Sequence, residues 1–262
     1  MDNRPIGIFD SGVGGTSIWG EIQELLPNED CIYLADSKNA PYGEQSEERI
    51  LKLSIKNTEY LLGLGCKLIV VACNTATTNA IGYLRDNYNV PFIGIEPAIK
   101  PAAINSKSKI VGVLATKGTL SSGLFYSTSK NHAAGITVLE QRGTGLVELI
   151  ESGKLQSDEL YKLLEGYIMP MLERGMDYLV LGCTHYPYLI PILRKMLPAH
   201  VMIIDSGQAV AKQTKSILQN FDLRNNSVDL GKHVFYSNGD EKILLNILKG
   251  STANHTVFFK DF

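Results

Sequence analysis

Short apolar runs rich in β-branched residues alternate along this chain with longer stretches whose apolar positions recur every three or four residues. The first pattern belongs to buried strands and the second to helices that cover them. It predicts strands over residues 6–9, 31–35, 68–72, 92–95, 110–114, 137–140, 178–181 and 202–204. Helical spacing fills the intervals, most clearly over residues 46–62, 77–88, 158–174 and 188–197. Pro27, Pro91 and Pro198 fall where a helix has to stop or a strand begins. Strand and helix in regular alternation give an α/β fold with mostly parallel sheets flanked by helices.

Three of the strand ends recur at an offset of about 105–110 residues. The run from Ile6 to Ser11 matches the run from Ile110 to Thr116, an apolar strand closing on small hydroxylated residues. Val70-Val71-Ala72-Cys73-Asn74-Thr75 matches Val180-Leu181-Gly182-Cys183-Thr184-His185. Residues 92–96 match 201–205, each ending in a carboxylate. Three pairs in register indicate a duplicated half. Ligands of open parallel sheets bind outside the carboxyl ends of the strands, where all of these residues fall. Two pseudo-symmetric domains facing each other would therefore put Cys73 and Cys183 on opposite walls of one interdomain cleft. A matched acid/base on each wall suits a reaction that inverts a single carbon centre.

Composition removes other classes. Hydrophobic residues make up 44% and charged residues 20% of the chain, and the formal net charge is -2. That gives no basic field for a nucleic acid and no polybasic membrane patch. The longest apolar runs are strand-length, far short of a membrane span. Apolar residues begin almost directly after Met1-Asp2-Asn3-Arg4-Pro5, unlike a secretory leader, and the expectation is a cytoplasmic protein. The four cysteines show no C-x-x-C spacing, and a zinc site built on Cys73, Cys183 and His185 would lack a fourth ligand, so no metal is expected. Cys31 and Cys66 read as small buried apolar side chains. His132, His200, His233 and His255 read as solvated or structural.

The chemistry expected of Cys73 and Cys183 is proton transfer. Removing an α-proton from one face of an amino acid and returning one to the other, without a cofactor, needs two placed bases and strong stabilisation of the developing charge. Both cysteines precede polar residues that lead into helical patterns, so backbone N–H groups are expected to favour the thiolate. Asn74, Thr75, Thr184 and His185 add hydrogen-bonding groups suited to a carboxylate. Asp10-Ser11-Gly12-Val13-Gly14-Gly15 is a glycine-rich strand-to-helix turn, but it has neither the G-x-G-x-x-G order nor a G-K-[ST] ending. Its aspartate repels a phosphate and suits an ammonium or a base-assisting role. Pro41-Tyr42-Gly43 reads as a turn whose backbone could clamp a carboxylate. Asp36, Glu96 and Asp205 end strands and are candidates for orienting loops.

With Asp10–Gly15, Pro41-Tyr42-Gly43, Cys73-Asn74-Thr75-Ala76 and Gly182-Cys183-Thr184-His185-Tyr186-Pro187 in this order, the chain resembles the bacterial glutamate racemases nearly end to end. Leu114–Thr119 and Asp205-Ser206-Gly207 extend the likeness. The resemblance implies two related α/β domains, 1–97 plus 208–262 and 98–207, around a buried site that uses no cofactor. It implies Cys73 as the base for D-glutamate and Cys183 as the base for L-glutamate, assisted by Asp10 and His185 respectively. Ser11, Tyr42, Gly43, Asn74, Thr75, Thr116, Thr119 and Thr184 are implied as substrate contacts, beside Asp10 and His185. Glu151, with Glu148 close by, is the implied acid on the Cys183 side. The implied partner is glutamate, whose D-form feeds peptidoglycan synthesis; family members often dimerise, so a homodimer is open. Two other readings also stay open at this point: a racemase of the same fold acting on aspartate or another amino acid, and a non-catalytic protein that binds an acidic metabolite.

Overall fold

The computed structural model describes residues 2–132 and 135–262, with the side chain of His132 outside that description. Along the chain run β1 (Ile6–Asp10), α1 (Thr16–Leu25), β2 (Cys31–Ala35), α2 (Glu47–Gly63), β3 (Leu68–Val71), α3 (Asn74–Asn87), β4 (Phe92–Gly94) and α4 (Ile99–Asn105). They continue through β5 (Ile110–Ala115), α5 (Lys117–Leu120), α6 (Gly123–His132), β6 (Thr137–Arg142), α7 (Leu146–Glu151), α8 (Asp158–Glu173) and β7 (Tyr178–Gly182). The last are α9 (Ile190–Met196), β8 (Met202–Ile204), α10 (Gly207–Asn220), β9 (His233–Ser237), α11 (Glu241–Leu248) and β10 (His255–Phe259).

The strands form two sheets, ordered β10-β9-β2-β1-β3-β4 and β6-β5-β7-β8. Every strand pairing among the described residues is parallel. The order β2-β1-β3-β4 in the first sheet is the order β6-β5-β7-β8 in the second, so the repeat seen in the sequence is also a repeat of topology. In each sheet the winding direction reverses beside the first strand of the repeat, between β1 and β3 and between β5 and β7. The loops there diverge and leave a crevice. Those loops carry Asp10 and Cys73 in one sheet, Thr116 and Cys183 in the other.

Alternation along each strand sends side chains to two layers. Ile6, Ile8, Leu68 and Val70 join Ile18, Trp19 and Ile22 of α1 and Val210 of α10. Phe9, Ile69 and Val71 face the opposite layer, with Ile50 and Leu53 of α2 and Ala80 and Leu84 of α3. The second sheet divides the same way. Leu114, Leu139 and Leu179 pack on Leu160, Leu164 and Ile168 of α8, while Val111, Val113 and Val180 pack on Ile99 of α4 and Phe125 of α6. Cys31 and Cys66 are buried, and burial pushes both thiols up, Cys66 to about 12. His233 is likewise structural, accepting a hydrogen bond from Trp19 Nε1 at 3.2 Å. No helix among the described residues is long and apolar enough to cross a membrane.

Two strands lie outside the expected set, β9 and β10 at the edge of the first sheet. β9 alternates buried and half-buried positions and pairs with β2, far away in sequence. Its neighbour β10 is half exposed and has too few buried apolar positions to announce a strand.

The helix expected from residue 188 also differs. A 3-10 turn, Tyr186–Leu189, precedes α9. In an α-helix the carbonyl of Cys183 would take the N–H of residue 187, but Pro187 has none. Instead Tyr186 N–H donates to Cys183 O at 3.0 Å, which tightens the turn. Cys183 therefore does not cap an α-helix as Cys73 does.

Candidate active site

The two crevices face each other across a small cavity. Its wall comprises Ser11, Pro41, Tyr42, Gly43, Cys73, Asn74, Thr75, Thr116, Val147, Cys183, Thr184 and His185. The interior volume is about 10 Å³, room for roughly one water molecule. Residues from both sheets close it. Ten of the residues singled out in the sequence are on this wall; Asp10, Thr119 and Glu151 stand behind it. Pro41 belongs to the turn singled out in the sequence, though not as a contact residue, and Val147 was not anticipated. Val147 sits in the first turn of α7, where an apolar residue reads as ordinary core.

Cys73 is the N-cap of α3, and its Sγ accepts from Ala76 N–H at 3.5 Å and lies 3.6 Å from Ser11 Oγ. The cap alone would favour a thiolate. Burial, with the Asp10 carboxylate adding to it, outweighs the Ala76 N–H and the Ser11 hydroxyl and holds the thiol well above its ordinary range. The expectation of a thiolate at Cys73 is corrected accordingly: enclosure by the second half of the molecule buries the sulfur, and burial disfavours its charged form.

Asp10 ends β1 with no exposed surface. Its Oδ2 accepts from Gly15 N–H at 2.9 Å and Gly12 N–H at 3.2 Å, and its Oδ1 accepts from Thr184 Oγ1 at 3.2 Å. Burial raises its pKa, and the nearby His185 only partly offsets that. His185 Nδ1 is 4.0 Å from Asp10 Oδ2 and 3.8 Å from Cys183 Sγ, and its Nε2 is 2.5 Å from Glu151 Oε1. Burial pulls the imidazole pKa down, but Cys183, Glu151 and Asp10 together lift it well above the ordinary value, which favours the charged form. Gly14 N–H also points at Nε2, at 3.3 Å. The Glu151 contact is much the shorter of the two, and a proton between Nε2 and that carboxylate serves it at the expense of the Gly14 contact. Glu151 is opposite in sense: burial raises its pKa, but His185, Val13 N–H and Ser37 Oγ bring it below the ordinary value. Glu148, the other acidic candidate, lies apart from this cluster, on an outer recess with Lys117 and Arg142.

The glycines of the 10–15 turn make this approach feasible. A Cβ on Gly12 would lie 2.5 Å from Glu151 Cδ, and one on Gly14 would lie 2.5 Å from His185 Cγ. Further bonds join the two halves. Thr75 Oγ1 meets Thr116 Oγ1 at 2.8 Å and Thr119 Oγ1 at 3.4 Å, Ser17 Oγ donates to Thr184 O at 3.0 Å, and Thr16 meets Tyr188 through their hydroxyls. At the mouth, Arg142 pairs with Glu44 at 2.6 Å. The Tyr42 hydroxyl turns away from the cavity to donate to Asp36 Oδ2 at 2.5 Å, so the turn offers its backbone. Asn74 Oδ1 is buried without a partner among the described residues, and Asn74 is on the cavity wall. No group of three or more His, Cys, Asp or Glu among the described residues is placed to hold a metal ion.

The profile of the family described as Asp/Glu/Hydantoin racemase matches residues 14–214. A glutamate racemase of Ectopseudomonas mendocina is 45% identical over 98% of this chain and 99% of its own length. The crystal structure of Escherichia coli glutamate racemase, in complex with L-glutamate and the activator UDP-MurNAc-Ala, superposes with a TM-score of 0.85 at 33% identity, covering 98% of each chain. The Francisella tularensis glutamate racemase, in complex with D-glutamate, gives 0.83 at 28% identity, again over 98% of each.

Proposed function

Because the chain belongs to the Asp/Glu/hydantoin racemase family, we propose that it is a glutamate racemase, interconverting L- and D-glutamate with Cys73 and Cys183 as its two bases. The observation that carries this reading is the cavity itself, where one thiol from each repeat meets the same small space. With D-glutamate bound, the Cys73 thiolate takes the α-proton: the C–H bond breaks and an S–H bond forms. The electron pair left on carbon spreads into the α-carboxylate. The Cys183 thiol then delivers its proton to the opposite face and becomes the thiolate. L-Glutamate runs the same steps backwards, starting from a Cys73 thiol and a Cys183 thiolate. A Cys73 held as the thiol is the form that receives L-glutamate.

The remaining roles follow from position. Threonine hydroxyls and the backbone of the 41–43 turn suit the substrate carboxylates, and the unpaired Asn74 Oδ1 suits the ammonium. Asp10 is the group behind Cys73, and the His185–Glu151 pair is the group behind Cys183. No step is routed through a cofactor. The first sheet draws its strands from residues 6–94 and 233–259, and the second from 110–204, which supports a division into 1–97 plus 208–262 and 98–207. The reading also places the protein in the cytoplasm, supplying D-glutamate to peptidoglycan synthesis.

The test is incubation of the purified protein with D- or L-glutamate in D2O. Deuterium entering the α-carbon, with both enantiomers decaying to one racemic end point by circular dichroism, is the expected result. Turnover of aspartate well above glutamate would remove the substrate assignment. Neither exchange nor optical change with either amino acid would leave a binding protein instead.

A further inference from the structure

Ser37 takes no part in the proton transfers just described and is not on the cavity wall, yet its neighbours on both sides are tied into the fold. It follows Asp36 at the end of β2. The Asp36 N–H donates to Asp10 O at 3.1 Å, and its buried carboxylate accepts from Tyr42 Oη, Asn39 Nδ2, Asn238 Nδ2 and Lys56 Nζ. On the other side, Lys38 N–H donates to Asn238 Oδ1 at 2.9 Å. Gly239 lies so close that a Cβ there would be 2.7 Å from Ser37 Cβ. From this clamped position Ser37 Oγ donates to Glu151 Oε2 at 2.8 Å. The other oxygen of Glu151 accepts from Val13 N–H at 2.6 Å and meets His185 Nε2 at 2.5 Å.

Glu151 and His185 come from the segment that carries the second sheet, whereas Ser37 and Val13 belong to the first. The carboxylate is thus oriented from across the cleft. A carboxylate with one oxygen free to swing would hold the imidazole less well. The imidazole is what faces Cys183, with Nδ1 3.8 Å from the sulfur. Resting on the racemase reading above, we propose that Ser37 is a positioning residue for the Cys183 half-reaction, acting through Glu151 and His185. It completes that half of the acid–base machinery only when the two halves meet. Among the described residues no hydrogen bond joins Ser37, Glu151 or His185 to Cys73, and the link through Asp10 is a longer 4.0 Å contact, so removal of Ser37 should affect the two proton transfers unequally.

Ser37→Ala removes one hydroxyl and leaves the backbone bonds of residues 36–38 in place. Losing a hydrogen bond to a charged group predicts a fall in kcat/KM of about tenfold. That fall must be equal from D- and L-glutamate, because enantiomers have the same free energy. The isotope effects need not be equal. With α-deuterated L-glutamate the effect on kcat/KM should rise, because abstraction by Cys183 becomes more limiting. With α-deuterated D-glutamate it should shrink, because abstraction by Cys73 limits less. Isotope effects that stay constant or move together overturn the proposal. A second arm introduces Ser37→Ala into Glu151→Gln and follows α-proton exchange in D2O. Less than a twofold further loss is expected, since coupled residues are not additive; a further tenfold loss overturns it. Wild-type protein that exchanges no α-proton of glutamate removes the racemase reading and this assignment with it. An active wild type whose two isotope effects stay constant or move together in Ser37→Ala removes only the role of Ser37.

Discussion

Gly14 gives the sharpest test of the closed cleft, because adding one methyl group there contests the space of a single side chain. In the structure a Cβ at Gly14 would lie 2.5 Å from Cγ and 2.7 Å from Cε1 of His185, against 3.4–4 Å for ordinary contact. The imidazole has nowhere to turn: it is fully buried, with Glu151 on one nitrogen and Cys183 and Asp10 near the other. In Gly14→Ala either the ring or the second half of the molecule must retreat by about 1 Å. A displacement of that size in catalytic geometry costs about 100-fold in rate, equivalent to roughly 2.7 kcal/mol. The fold should suffer less, because the halves can relieve the clash by standing slightly apart. Overpacking of 1–3 kcal/mol is the upper range, about 2–4 °C in Tm per kcal/mol for chains approaching this size. Gly20 supplies the control. It lies inside α1, and a Cβ there meets nothing within 4 Å, so Gly20→Ala should gain about 0.5–1 kcal/mol and keep full activity. The assay is racemisation of glutamate by circular dichroism alongside thermal unfolding. Gly14→Ala within threefold of wild type, or Gly20→Ala losing as much as Gly14→Ala, would refute the reasoning.

Cys73→Ala and Cys183→Ala should each abolish racemisation while leaving the circular dichroism of the fold intact, and serine should not substitute at either position; near-normal turnover in any of the four would remove the two-base mechanism. The Glu151–His185 pair should stabilise the protein in a defined pH window. Glu151 is lowered on folding, so its contribution is complete above the ordinary value of 4.5 and fades as pH falls through the folded value. His185 is raised, so its contribution is complete below 6.5 and fades as pH rises through the folded value. The urea-unfolding gap between wild type and Glu151→Gln should be widest between about pH 4.5 and 6.5, and a gap independent of pH would contradict this. Lys67 and Glu29 form a fully buried ion pair at 2.6 Å, extended by Asp2 O and Asn225 N–H. Lys67→Met leaves the carboxylate unpaired and should cost about 3–5 kcal/mol by denaturant titration with kcat unchanged, since the pair touches no residue of the cavity.

Much of this architecture was readable in the chain because periodicity and repetition are local signals. The strand ends carrying Asp10, Cys73, Thr116 and Cys183 stood out through their spacing, and the structure brings Cys73, Thr116 and Cys183 onto one wall with Asp10 behind them. What escaped was set by distant parts of the chain. β9 exists as a strand because β2 is beside it. Ser37 has no motif of its own; its meaning lies in a carboxylate 114 residues away. The thiol state at Cys73 was misjudged for the same reason: the cap is written in Cys73–Ala76, whereas the burial that overrides it comes from the facing half. Pro187 is a signal in the sequence that was left unread, since it has no N–H to give the carbonyl of Cys183.

The backbone passes between the two sheets twice, once after β4 and once after β8, and the passages run side by side. Ser206 Oγ donates to the carbonyl of Glu96, tying one passage to the other. Mechanically, a single strap would act as a ball joint, free to swivel as well as to bend. Two straps fastened together would resist twist and leave mainly one soft direction, a swing that would part the far rims of the cleft. Were the leaves to part that way, residues such as Thr75 with Thr116 or Ser37 with Glu151 would meet again in unchanged register, like a door returning to its jamb.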